Sequence, residues 1–163
     1  MNKKGFTLVE LLAVIAILAI LVIIALPNVM EMFNNAKEST FVTEVQAIYK
    51  QVATDFVSDS LSSYGEHEYC QADALTTVPT WVSDNCTTSA TVKKLNLSTT
   101  KNYYVKVGSD GSVQKIVVYD GSFAYAGTDV AKATDITKAS IKKADKVSSL
   151  SVTNATLTEQ SGS

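Results

Sequence analysis

The chain has 163 residues, room for one domain of ordinary size, and a formal net charge of −2. All fourteen basic residues are lysines. Without the arginine fork that reads phosphate and guanine bidentately, sequence-specific nucleic-acid recognition is not expected, and Lys142, Lys143 and Lys146 read as a solvated face. One histidine and two cysteines, with no Cys-x-x-Cys pair, are poor material for a metal site.

The first predicted element carries most of the information. Lys3, Lys4 and Gly5 precede an almost unbroken apolar run from Phe6 to Leu26, followed by Pro27. These 21 residues span about 31 Å as a helix, close to the thickness of a bilayer core. Glu10 is the one strongly polar residue of that run, and an ionisable group there is costly enough to imply a partner. A secretory signal would have a shorter apolar core and a small-residue cleavage site. A plain single-pass anchor fits the length but explains neither the Gly5-Phe6 junction nor Glu10.

The sequence Lys3-Lys4-Gly5-Phe6-Thr7-Leu8-Val9-Glu10-Leu11-Leu12 closely resembles the N-terminus of type IV prepilins and the related pseudopilins. In that family a short basic leader ends in glycine, and a hydrophobic first mature residue and a glutamate at the fifth mature position follow. Gly5, Phe6 and Glu10 fill those places, and Pro27 falls where many pilins carry a helix-bending proline. The resemblance covers residues 1 to about 57 and is most specific in the first dozen. It implies residues 1–5 as a leader removed by the prepilin peptidase after Gly5, N-methylation of Phe6, and a role for Glu10 in assembly. Loss of Lys3 and Lys4 with the leader would take the net charge from −2 to −4.

Residues 6–27 are then the membrane and filament-core helix, and residues 28–57 its amphipathic continuation. Proline is tolerated in membrane helices at the cost of a kink, so Pro27 bends the helix rather than ending it. Phe41, Val45, Ile48, Val52 and Phe56 recur at helical steps, flanked by Val42, Tyr49 and Ala53. The spacing predicts one helix from about Thr7 to Val57, with a core-facing stripe on its second half.

From Ser58 to Lys101 the periodicity disappears, and Gly65, Pro79 and Asp84-Asn85 mark a long loop. Cys70 and Cys86 lie in it with 15 residues between them. Beyond a membrane segment the compartment permits a disulfide, which is worth about 3 kcal/mol for a loop of that size. Two free thiols are the alternative where no oxidising machinery exists. Trp81 reads as a packing plug. His67 sits in the same loop as Cys70, without the third member of a catalytic set.

Residues 102–126 read as a β-meander. Tyr103–Val107 and Val113–Tyr119 flank Gly108-Ser109-Asp110-Gly111, and Asp120-Gly121 turns the chain into Ser122–Ala126. The glycine-rich turn lacks the Gly-Lys-Ser/Thr ending of a phosphate loop. In residues 127–163, Asp135 to Lys146 suggest a short helix with Ile136, Ala139 and Ile141 inward. Ser149–Thr153 and Ala155–Thr158 alternate weakly as an edge strand does, and the last five residues read as disordered. The Asn-x-Ser/Thr triplets at Asn85, Asn96 and Asn154 are given no function.

The fold class expected is α+β, a long N-terminal helix with an apolar half and an amphipathic half packed on a small antiparallel sheet. Scattered carboxylates and the lack of a Ser/His/Asp or Cys/His set argue against an enzyme, and no cofactor or metal is expected. Apolar burial requires either a membrane or copies of the same helix. The expected partners are therefore the membrane and the chain itself in a helical homopolymer, and the resemblance implies the prepilin peptidase and the pilus assembly machinery as well. The resemblance implies a prepilin in the cytoplasmic membrane that becomes an extracellular filament for adhesion, twitching motility or biofilm formation. A minor pilin or pseudopilin of a type II secretion or DNA-uptake system, and a non-polymerising surface protein with one anchor, are the alternatives.

Overall fold

The computed structural model describes residues 7–72, 86, 92–151 and 155–159. Helix α1 runs Leu8–Ser60, and the chain divides into two compact units at residue 37. The first unit is the apolar part of α1. Its large hydrophobic residues from Leu8 to Phe33 stand 45–80% exposed, and the helix passes through Pro27 without a break in its assignment. By length and composition this part of α1 is able to cross a membrane.

In the second unit the helix shows one buried face. Phe41, Val45, Ile48 and Val52 are buried at steps of four, three and four, the spacing that returns a side chain to the same face of a 3.6-residue helix. They join a core supplied by a six-stranded sheet of order β2-β1-β3-β4-β5-β6. The strands are β1 (His67–Gln71), β2 (Val92–Lys93), β3 (Asn102–Val107), β4 (Val113–Tyr119), β5 (Phe123–Val130) and β6 (Ile141–Lys143). All pairs are antiparallel except β1 with β2, which is parallel, so the sheet is mixed and the class is α+β.

Strand periodicity sorts the side chains between the two faces. Tyr69, Tyr103, Val105, Val107, Ile116, Val118, Phe123 and Tyr125 belong to the cluster that contains the helix stripe. Their immediate neighbours turn the other way. Cys70 and Tyr104 cluster with Cys86 and Val92, while Val117 and Ala124 pack with Leu150 and Ala155. The last two residues come from the hairpin of β7 (Val147–Ser151) and β8 (Thr156–Glu159), a separate two-stranded sheet. Polar ties reinforce the helix packing. Gln46 donates to the Ile136 carbonyl (2.9 Å), Tyr49 to the Val130 carbonyl (2.8 Å), and the Asn96 amide to Asp55 (2.7 Å).

The meander forms where expected, and its turns show why. Gly111 (φ 83°) and Gly121 (φ 89°) occupy the left-handed region, where a side chain would be strained. At the second turn Asp120 Oδ1 accepts from the amides of Ser122 (2.8 Å) and Phe123 (2.7 Å), a local side-chain cap on the backbone.

Three expectations need correction. Residues 58–101 are not loop throughout, because β1 and β2 form there and β1 pairs along its length with β3, Cys70 opposite Tyr104. The stretch 135–146 is not a helix but 3₁₀ turns at Ala133–Asp135, Lys138–Ser140 and Ala144–Lys146 around strand β6. Asp135 and Ser140 accept from the amides of Lys132 and Thr137, so short polar side chains satisfy the backbone in place of helix bonds. Ile136 and Ile141 are buried as expected, whereas Ala139 is exposed. The final strands pair with each other instead of forming one edge strand. Trp81, Asn85 and Asn154 lie outside the described residues.

Candidate assembly site

The site is built at the start of α1. Thr7 immediately precedes the first helical residue, and its carbonyl accepts the first helical bond, from the Leu11 amide (3.3 Å). One turn on, Glu10 folds back: its Oε2 accepts from both the Thr7 amide (2.9 Å) and the Thr7 hydroxyl (2.7 Å). The Thr7 hydroxyl oxygen in turn accepts from the Glu10 amide (3.3 Å). This is a reciprocal capping box, which satisfies amides that a helix start otherwise leaves without partners. The carboxylate inside the apolar segment is thus held at the helix end where negative charge is favoured.

Thr7 is the residue that sequence reasoning missed. Its signal, Thr-x-x-Glu ahead of an apolar run, was present in the sequence. Of the other expected site residues, Gly5 and Phe6 lie outside the described residues. Pro27 lies within α1. Cys70 and Cys86 are joined by a disulfide with their Cα atoms 5.4 Å apart, and it ties residue 86 to the buried Cys70 of strand β1. The disulfide is in the second unit, and Glu10 is in the first.

The exposed surface around Glu10 bears on its chemistry. From Thr7 to Lys37 every residue is exposed, and most of the surface up to Phe33 is apolar. A continuous apolar surface of this extent is the mark of a membrane or a protein partner. Among the described residues no group of three or more His, Cys, Asp and Glu has the make-up of a metal site.

In the second unit the charged groups form ties of ordinary kind. Lys106 pairs with Glu66 at 2.7 Å. Lys93 pairs with Asp59, whose other oxygen accepts from the Tyr69 hydroxyl (3.0 Å). Lys101 differs, since it lies between Glu44 (2.9 Å) and Asp120 (3.1 Å) and is only 16% exposed. Burial works against its charge, but the two carboxylates more than offset that and hold the ammonium above the usual lysine range.

Residues 1–26 match the family described as the prokaryotic N-terminal methylation motif. No curated protein and no solved structure matches the chain.

Proposed function

For a chain that carries the type IV prepilin signature over residues 1–26, we propose the role of a structural pilin subunit. In this reading residues 1–5 are a leader cut off after Gly5, Phe6 is N-methylated, and residues 6–27 hold the chain in the cytoplasmic membrane. The same segment, bent at Pro27, then packs against its copies in an extracellular filament. Residues 28–57 continue the helix, and the sheet with its disulfide forms the filament surface.

The observation that carries the proposal is the carboxylate of Glu10, fixed by Thr7 at the start of an apolar helical segment whose residues are all exposed as far as Lys37. Cleavage after Gly5 creates an α-amine on Phe6, a second charge beside an apolar environment. Burying either charge alone is expensive, and pairing them removes most of that penalty. Both Thr7 contacts fall on Oε2. An ionised carboxylate accepts about four hydrogen bonds, so it has capacity left for an amine. Between subunits the pair forms only at one axial stagger, which makes the charges a register mark for polymerisation.

The test is the N-terminus and abundance of the protein in sheared surface material. A mature chain beginning at Phe6 and dominating that fraction is the expected result. A chain starting at Met1, or cut after Pro27, would overturn the reading. Correct processing with only traces in the sheared fraction would move the assignment to a minor pilin or pseudopilin.

A further inference from the structure

The Lys101 cluster holds more than a surface ion pair needs. Lys101 precedes β3 and Asp120 follows β4. The last ladder pair between these strands is Asn102 with Tyr119, so Lys101 and Asp120 stand opposite each other at the open end of the hairpin. The Lys101 and Asp120 side chains are 16% and 13% exposed. Glu44, from α1, brings a second carboxylate to the same ammonium, and its Oε2 has less than 1 Å² of accessible surface. The Lys93–Asp59 pair, whose lysine is 51% exposed, has no such shielding.

We propose that Lys101 and Asp120 become joined by an intramolecular amide (isopeptide) bond, with Glu44 as the catalytic proton relay. The parts are a nucleophile, an electrophile with its oxygen held, and a base. Lys101 Nζ lies 3.1 Å from Asp120 Oδ2. Asp120 Oδ1 already accepts two backbone amides, from Ser122 and Phe123, placed as donors to a developing oxyanion. Glu44 Oε2 lies 2.9 Å from Nζ, within proton-transfer reach.

The reaction starts from the ion pair. The ammonium passes one proton to Asp120 Oδ2 across the 3.1 Å contact, which leaves a neutral amine and a carboxylic acid. The Nζ lone pair attacks Cγ, the N–C bond forms, and negative charge collects on Oδ1. Glu44 takes a second proton from Nζ and delivers it to Oδ2, which leaves as water while the Oδ1 carbonyl re-forms. One proton remains on the amide nitrogen and Glu44 is returned unchanged, so no oxidant or external co-reactant is required. Fixed proximity supplies the rate. The bond would close hairpin β3–β4 covalently at the end opposite its Gly108–Ser112 turn.

The test is the mass of the reduced full chain, purified from membranes in detergent. The wild-type chain is expected to be lighter than its calculated mass by one water, and its digest to contain a branched peptide with Lys101 and Asp120. Lys101→Arg and Asp120→Ala chains should show their full calculated masses. Glu44→Gln, which keeps the size and polarity of the side chain, should also leave the bond unformed. A wild-type chain of full mass with only linear peptides overturns the proposal, and a bond formed completely in Glu44→Gln overturns the relay assignment. Neither measurement depends on leader cleavage or on filament formation.

Discussion

Thr7 gives both its backbone amide and its hydroxyl to one oxygen of Glu10, at 2.9 and 2.7 Å. The carboxylate that makes the apolar segment costly to insert is therefore also the group that caps its helix. Capping and assembly make different demands on Glu10, and mutation separates them.

Glu10→Ala removes both the cap and the charge proposed to meet the Phe6 amine, and it makes the segment more apolar. The variant should insert and accumulate normally yet form few or no filaments, because each added subunit would bury an amine without a partner. Electron microscopy of sheared fractions, with a membrane-fraction blot as control, decides between the roles. Abundant normal filaments would show that the charge pair does not direct assembly.

Thr7→Val keeps the side-chain shape and the backbone amide but loses the hydroxyl that both donates to Glu10 and accepts its amide. Filament yield should fall well short of the loss in Glu10→Ala, and Thr7→Ser should restore it. Equal yields from Thr7→Val and wild type would leave the hydroxyl without a role in assembly.

What was legible in the sequence was local. The Phe41–Val45–Ile48–Val52 stripe declares itself because helix periodicity repeats within one segment, and the Asp120-Gly121 turn because its backbone needs a glycine. Strand β1 was not legible. It opens with His67 and Glu68 and earns its place through pairing with β3, more than thirty residues on, which no local pattern encodes. Ile136 and Ile141 are inward as the sequence suggests, but they reach the core from the residue that follows a 3₁₀ turn and from a strand, not from one helix. At the assembly site Glu10 stood out by its charge, while Thr7 was overlooked because a lone hydroxyl is ordinary. The Gly5-Phe6 junction has meaning only through resemblance, since the proposed cut there would be made by another protein.

Ile48 is fully buried on the helix stripe and contributes to the cluster that includes Tyr103 and Ile116. Ile48→Ala should destabilise the second unit by about 2–5 kcal/mol through lost burial and a residual cavity. Membrane insertion should be unchanged, since residues 8–26 are untouched. Chemical denaturation followed by tyrosine fluorescence, alongside membrane fractionation, checks both statements.

Cys70 is 3% exposed in β1, and its bond to Cys86 closes a loop at a sequence separation of 16. Cys70→Ser should cost about 2–4 kcal/mol, and Cys86→Ser a similar amount, because either change frees the same loop in the unfolded chain. In wild-type surface material the two thiols should resist labelling under denaturing conditions until a reductant is added. Labelling before reduction would show the bond to be absent.

Acid should reveal the Asp59 tie between α1 and the sheet. Burial pushes its carboxyl up, but hydrogen bonds from Lys93 and Tyr69, with the charges of Lys93 and His67, outweigh that and leave its pKa below the ordinary 3.8. The unfolded chain therefore binds this proton more readily than the folded one. The contribution is fully present above the unfolded value and is lost as pH falls through the lower, folded value. Asp59→Asn keeps the side-chain size and removes the titration. The stability difference between wild type and variant should shrink as pH falls below about 4. Exposed carboxylates such as Glu66 and Asp110, also held low by their hydrogen bonds, titrate in both proteins and largely cancel in the difference. Urea unfolding of the two full chains in detergent across that range gives the curve. A difference that stays flat to about pH 3 would mean that the Lys93 and Tyr69 contacts do not favour the ionised carboxylate in solution.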